Sequence, residues 1–423
     1  MIRFTNARLL KHSENGFTVQ NGVLETEGGV ITVSGEIPSE NTPERTIDLK
    51  GKGLIIPGFK NAHTHSAMTF LRSYADDMPL DKWLTEQVFP MEARLDGEYI
   101  RKFARLAFLE YLRNGITACF DMYVEPDSMA KAAEETGMRL VMCGTVNDFK
   151  DSPELLEDFY LRFNGHSELV SYKLGFHAEY TTSEKILEGI AKLSQKYSAP
   201  VFTHCSETEK EVSECIGRHG LTPPAYFEKL GLLEHGGGFF HSVHVTDDDL
   251  EIMKKHNVYA VINPSSNAKL ASGIAPVSRL LRTVRCGIGT DGPASNNALD
   301  MFREMYLAAV LPKLDEKDAS AGSAEDILYA AVSGGGEVMG LGGLSLEAGM
   351  SADIAVIDLD SPNMLPENNI PKNLVYSGNP SNIIMTMING KILYENGVYT
   401  LPGISSEEII SQAKAAADKI FCR

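Results

Sequence analysis

Basic residues are in short supply in this chain: 39 Lys and Arg stand against 57 Asp and Glu, a formal net charge of -18. That balance excludes a nucleic-acid partner and docking on an anionic membrane surface. Cysteine is sparse, with six residues at positions 119, 143, 205, 215, 286 and 422 and no CxxC pair. The pattern excludes a disulfide framework and reads as reduced thiols of a cytoplasmic protein. No apolar run reaches the roughly 18 residues that a membrane span needs. The opening Met-Ile-Arg-Phe-Thr-Asn has neither the apolar core nor the cleavage site of a signal peptide. Tryptophan occurs once, at Trp83. What is present is ordinary for a soluble globular protein, 43% hydrophobic and 23% charged residues, over 423 residues. That length predicts two domains or one large barrel with additions.

Residues 1–50 are short alternating segments broken by Asn-Gly and Gly-Gly, which predicts hairpins. The same pattern returns at 352–358 and 383–394, the latter with an Asn389-Gly390 turn. Both ends therefore predict one small β-domain, from residues 1–56 and 347–423, closed by a terminal helix over 405–421 that opens with Ser-Ser-Glu-Glu. Between them, residues 57–346 alternate strand and helix. After a first strand at 54–59, strands are predicted at 117–121, 140–144, 173–176, 201–203, 238–240, 260–262 and 286–289. Eight strands alternating with helices predict an α/β fold, a (β/α)8 barrel, with a doubly wound open sheet as the competitor.

The C-terminal ends of these strands favour the barrel. They present His63 and His65, then Asp121, His177, His204 with Glu207, His241 and His244, Asn263, and Asp291. Barrel active sites form on that face from several strand ends. In Gly53-Leu-Ile-Ile-Pro-Gly-Phe-Lys-Asn-Ala-His63-Thr-His65, side chains at i and i+2 of a strand point the same way, so two imidazoles share one space. His63, His65, His204 and Asp291 are the candidate ligands of one divalent ion, zinc first and ferrous iron second. Of His241 and His244, three residues apart, one enters the barrel; His241 is chosen, leaving His244 under a helix capped by Thr246 and Asp247. His12, His166, His219, His235 and His256 are expected on the surface. Two glycine-rich stretches, 287–292 and 334–343, lack the phosphate-loop spacings; the first reads as a turn presenting Asp291, the second as a helix end.

Four segments are together similar to the amidohydrolase superfamily, in its branch of methylthioadenosine/S-adenosylhomocysteine deaminases and chlorohydrolases. They are Pro57-Gly-Phe-Lys-Asn-Ala-His63-Thr-His65, Thr203-His204-Cys-Ser-Glu207-Thr, Asn263-Pro-Ser-Ser-Asn267-Ala-Lys-Leu and Gly289-Thr-Asp291-Gly-Pro-Ala-Ser295-Asn-Asn. The similarity extends to Leu346-Glu-Ala-Gly349-Met-Ser-Ala-Asp353-Ile, and Tyr74-Ala-Asp-Asp-Met-Pro-Leu-Asp-Lys-Trp83 with Val88-Phe-Pro-Met-Glu92 resembles the adenosine-type deaminases in particular. The resemblance implies a metal-bearing (β/α)8 barrel with a small β-sandwich built from both ends, and a homo-oligomer. It implies that His63, His65, His204 and Asp291 hold the metal, that Glu207 protonates the ring nitrogen, and that His241 polarises the tetrahedral centre. Four protein ligands leave room for water only on a five-coordinate ion or beside a weakly bound Asp291, which in the second case is expected to take a proton from that water. The resemblance further implies that Trp83, Glu92, His177 and Ser295 line the substrate pocket, with Glu92 and His177 reaching ribose hydroxyls.

The implied activity is hydrolysis of the 6-amino group of an adenosine-type nucleoside, giving the inosine analogue and ammonia. A chloro- or aminohydrolase of a triazine, pterin or guanine is the second reading, and an idle metal-binding barrel the third. Relatives that accept S-adenosylhomocysteine carry an arginine near the end of the third strand, where this chain has Cys143-Gly144-Thr145. Glu179 replaces their proline and is expected to repel a carboxylate. Small uncharged 5′-groups are therefore expected to be preferred, with Arg162 or an arginine of a neighbouring subunit as the remaining source of a cation.

Overall fold

The computed structural model describes residues 1–343 and 345–422, all but the Asp81 side chain. Eight parallel strands follow one another in chain order around a nearly closed barrel: β1 (Phe59–Thr64), β2 (Ile116–Asp121), β3 (Arg139–Cys143), β4 (Val170–Gly175), β5 (Val201–Cys205), β6 (Gly237–His241), β7 (Val258–Ile262) and β8 (Cys286–Ile288). The seam is bridged where Asp291 N–H donates to His63 O at 2.9 Å. Strand alternation sorts the side chains. Ala118, Phe120, Val141, Phe202, Phe240 and Val261 fill the barrel interior, while Cys119, Leu140, Val201, Phe239, Ala260 and Ile262 face the surrounding helices. Those helices are amphipathic: Glu184–Tyr197 buries Leu187, Ile190, Ala191 and Ser194 at helical spacing.

A separate, largely antiparallel nine-stranded sheet takes strands from both ends of the chain, among them Ile2–Ser13, Gly16–Glu27, Ile354–Asp358 and Ile383–Ile388. It corrects one expectation. Residues 54–59 are not a single barrel strand: Gly53–Pro57 lies in this sheet, antiparallel to Ile354–Asp358, and the barrel begins only at Phe59. The break falls at Gly58, where a Cβ would lie 2.2–2.8 Å from the Thr117 side chain. Gly53–Pro57 still alternates, with Leu54 and Ile56 in the main core and Ile55 in the sheet's own. The terminal helix, Ser406–Ile420, is capped by Ser405, whose Oγ accepts from Glu408 N–H.

A buried charge cluster joins sheet and barrel. Arg139, at the start of β3, meets Asp353 with Nε to Oδ2 at 2.5 Å and Nη2 to Oδ1 at 3.0 Å. Fully buried Lys60 lies close by, its amine lowered to about 7 by desolvation and donating to Gly58 O at 2.7 Å. Asp353→Ala would leave the buried Arg139 guanidinium without its counter-charge, so urea unfolding should show a loss of about 3–5 kcal/mol.

Candidate active site

Two local departures from strand geometry build the site. In β1, Asn61 pairs with Cys119 but Thr64 with Asp121, so one extra residue is inserted. This bulge lets Ala62 join the interior cluster while His63 also turns inward and stacks on Phe240 at 3.9 Å. At the end of β6, His241 and Ser242 adopt left-handed backbone (φ 74° and 49°). The ring of His241 thereby returns over the barrel mouth although Phe240 already points inward. Asp291 is also left-handed (φ 58°). Non-glycine residues in that region carry strain that clusters at functional sites. Gly289 is required by contact: its Cβ would lie 2.7 Å from both N and O of His63.

The five expected residues His63, His65, His204, His241 and Asp291 come together at the C-terminal end of the barrel. Their donor atoms form two groups sharing His63, one with His65 and Asp291 and one with His204 and His241, each within 4.8 Å. Asp291 Oδ1 stands 3.3 Å from His65 Nε2 and 3.6 Å from His63 Nε2. The rings are aimed from behind: His65 Nδ1 bonds Met122 O and His204 Nδ1 bonds His177 O, each at 2.7 Å. In the neutral imidazole of His204, donation from Nδ1 leaves Nε2 with its lone pair toward the centre. Burial holds His63 and His204 well below their ordinary pKa, hence as neutral imidazoles. His65 is also pulled down by burial, but Asp291 outweighs this and raises it to about 9. Both nitrogens of His63 are buried without any hydrogen-bond partner. A divalent ion at Nε2 would satisfy one of them, and this nitrogen-rich donor set with one carboxylate fits such an ion.

Around this centre, Asp291 Oδ2 accepts from Ser266 Oγ at 2.5 Å and from Ser295 Oγ at 2.9 Å. Ser295 thus lines the cavity with its hydroxyl committed to Asp291. His241 Nδ1 bonds Asn267 Oδ1 at 2.7 Å, and its Nε2 lies 3.9 Å from Glu207 Oε2. Burial pushes the Glu207 carboxyl above its ordinary range, with His241 pulling it back. Trp83, Glu92 and His177 line the same cavity, of about 750 Å³. Tyr123 OH donates to Glu92 at 2.6 Å, and burial raises that carboxyl too. His177 Nδ1 bonds Thr181 Oγ1 at 2.9 Å, and burial lowers its pKa to about 4.

Several supporting residues escaped the sequence reading: Ser266, Asn267 and Tyr123 as partners of site residues, and fully buried Glu304. The Glu304 carboxyl, raised by burial to about 8, accepts from Ser265 N–H at 3.0 Å and Asn296 Nδ2 at 2.8 Å. Glu304 sits on the helix Met301–Glu316, too far along the chain for spacing to reveal it.

Other expectations need correction. Glu179 does not face the cavity: it is buried against Arg218 and His219, at 3.0 Å from His219 Nε2. His219 and His256 are half-buried, their Nε2 atoms hydrogen-bonded to the carboxylates of Glu179 and Glu228 respectively. Arg162 pairs with Asp127 and Asp158, away from the cavity. His244 Nε2 bonds Ser272 O at 2.7 Å, and the following helix is capped by Thr246 in a reciprocal box with Asp249, not Asp247.

A barrel with this histidine and aspartate centre defines a metal-dependent hydrolase, and the chain belongs to the amidohydrolase family, which residues 54–393 match. Within it, the chain is 38% identical over 403 residues to the 5-methylthioadenosine/S-adenosylhomocysteine deaminase of Thermoanaerobacter pseudethanolicus, covering 92% of this chain and 93% of that one. It is 37% identical over 410 residues to the 5'-deoxyadenosine deaminase of Methanobrevibacter smithii, covering 94% of each. Its fold matches the crystal structure of an adenosine deaminase from Xanthomonas campestris with bound zinc, with a TM-score of 0.92 and 29% identity over 100% of this chain and 99% of that one. No helix among the described residues is long and apolar enough to cross a membrane.

Proposed function

We propose that this protein is a metal-dependent hydrolytic deaminase of adenosine-type nucleosides, exchanging the 6-amino group for oxygen and releasing ammonia. The observation that carries the reading is Glu207, a buried carboxyl 3.9 Å from His241 Nε2 and beside the imidazole cluster without belonging to its donor groups. His63, His65, His204 and Asp291 would hold one divalent ion, zinc before ferrous iron, which when bound makes water acidic enough to attack near neutral pH. The reading also carries a homo-oligomeric assembly and a cytoplasmic setting.

The remaining work falls to the chain. Asp291, anchored by Ser266 and Ser295, accepts the proton of the attacking water. Glu207, a buried carboxyl whose pKa desolvation raises, delivers a proton to the ring nitrogen beside the attacked carbon. His241, fixed by Asn267, polarises the carbon's new oxygen substituent. Collapse expels the amine as ammonia with the proton held by Asp291, while the new hydroxyl returns its proton to Glu207 and becomes the ring carbonyl. Glu92, oriented by Tyr123, accepts from ribose hydroxyls in charge-assisted bonds, with His177 alongside and Trp83 giving an apolar wall. That sugar-binding pair favours a nucleoside over a bare triazine, pterin or guanine ring, and the full donor set argues against an idle barrel.

Among the described residues no arginine lines the cavity, and its cations Lys82, Lys150 and Lys210 are exposed. Exposed ammonium groups contribute little to binding a carboxylate. An ammonia-release screen over 5′-substituted adenosines should therefore show methylthioadenosine, 5′-deoxyadenosine or adenosine preferred to S-adenosylhomocysteine by about tenfold or more in kcat/KM. Equal rates for S-adenosylhomocysteine would remove that preference; no ammonia from any adenosine would remove the function.

A further inference from the structure

The loop after β3 carries an aromatic side chain for which deamination chemistry has no use. The loop is firmly built. Asn147 Oδ1 accepts from the backbone N–H groups of Phe149 and Lys150, each at 2.9 Å. Asp148 ties it to the next loop: its N–H donates to Thr181 O and its Oδ1 accepts from Ser183 N–H, both at 2.9 Å. At the tip of this fixed turn, Phe149 is 84% exposed and lines the active-site cavity. A large apolar side chain held in water gains by burial as soon as an apolar surface covers it.

Position within the cavity identifies that surface. Both ribose-binding candidates flank the loop. His177 N–H donates to Val146 O at 3.0 Å, and Lys150 is close enough to Glu92 to favour its charged form. On the nucleoside reading, Glu207 and the imidazole cluster would hold the reacting end of the base at the strand ends, and ribose hydroxyls at Glu92 and His177 would leave C5′ on the side of the cavity that Phe149 lines. Resting on the nucleoside-deaminase reading, we infer that Phe149 is a specificity-determining residue that packs on the 5′-substituent and selects an apolar thioether or methyl group over a hydroxyl. A thioether sulfur is well suited to an aromatic face or edge.

Steady-state kinetics on methylthioadenosine and adenosine test this with the wild type, Phe149→Ala and Phe149→Leu, all as metal-loaded full-length chain, with light scattering alongside. In Phe149→Ala the ratio of kcat/KM for methylthioadenosine over adenosine should fall about tenfold, through KM rather than kcat. Phe149→Leu, which keeps an apolar cover, should recover most of the ratio. An unchanged ratio, or equal losses on both substrates, overturns the inference. So does a change of oligomer mass without a change of ratio, which assigns Phe149 to a subunit contact. A wild type that deaminates neither nucleoside overturns the underlying reading, a result distinct from an active wild type whose selectivity ignores residue 149.

Discussion

Glu207→Gln is expected to retain one divalent ion per chain and to lose roughly 10²–10⁴-fold in kcat. The substitution preserves shape and removes only the proton-carrying oxygen. Glu207 is outside both donor groups that could hold an ion, so metal content should stay at the wild-type level. Its surroundings suit proton transfer: burial raises its pKa, Ser272 Oγ stands 3.4 Å from Oε1, and Glu211 accepts from the Glu207 backbone N–H at 2.8 Å, fixing the turn. Metal analysis and single-turnover ammonia release check the two halves separately. Loss of metal with full turnover after reconstitution would instead make Glu207 a structural residue.

His204→Ala and Asp291→Ala are each expected to abolish the ion and, with it, detectable ammonia release. His204 is a neutral, pre-aimed donor whose Nδ1 is fixed by His177 O, so its removal deletes a ligand that needs no reorientation to bind. Asp291 is the sole carboxylate of the donor set and accepts three hydrogen bonds, from Ser266, Ser295 and Gly292 N–H. Burial pushes its pKa up, but His65 outweighs this and keeps it well below the ordinary carboxylate range. Replacing it leaves those donors unsatisfied and His65 without its counter-charge. Metal analysis and an ammonia assay on each variant decide the matter. Near-normal turnover from a metal-free sample would end the metal-dependent reading.

Much of the site is legible in the chain because barrel chemistry collects at strand ends, and strand ends are visible where an apolar run meets a His or Asp. His204 follows that rule simply: Phe202 points inward, so the residue two further on does too. His63 and His241 reach the centre by other means. A regular strand holding Ala62 inside would turn His63 out, and one holding Phe240 inside would turn His241 out. A bulge corrects the first and left-handed backbone corrects the second. Neither has a local signal here, since the bulge sits in Asn-Ala-His-Thr and the left-handed pair is His-Ser rather than Gly or Asn.

Glu179 shows the opposite limit. Its sequence neighbours place it at the cavity rim, yet Arg218 and His219, some forty positions away on a separate helix, draw it into a buried ion cluster. Glu304 and Phe149 are equally silent in sequence, one a buried acid on a late helix, the other a phenylalanine in a loop.

Alternation, turn residues and the placing of His and Asp at strand ends thus determined the barrel class and the candidate His, Asp and Glu residues that meet at its mouth, because those features repeat with local period. The tertiary structure alone decided which strand 53–57 joined, how His63 and His241 turn inward, and which charges neutralise one another. These depend on pairing register and on contacts between residues hundreds of positions apart, where close packing and burial choose the partner.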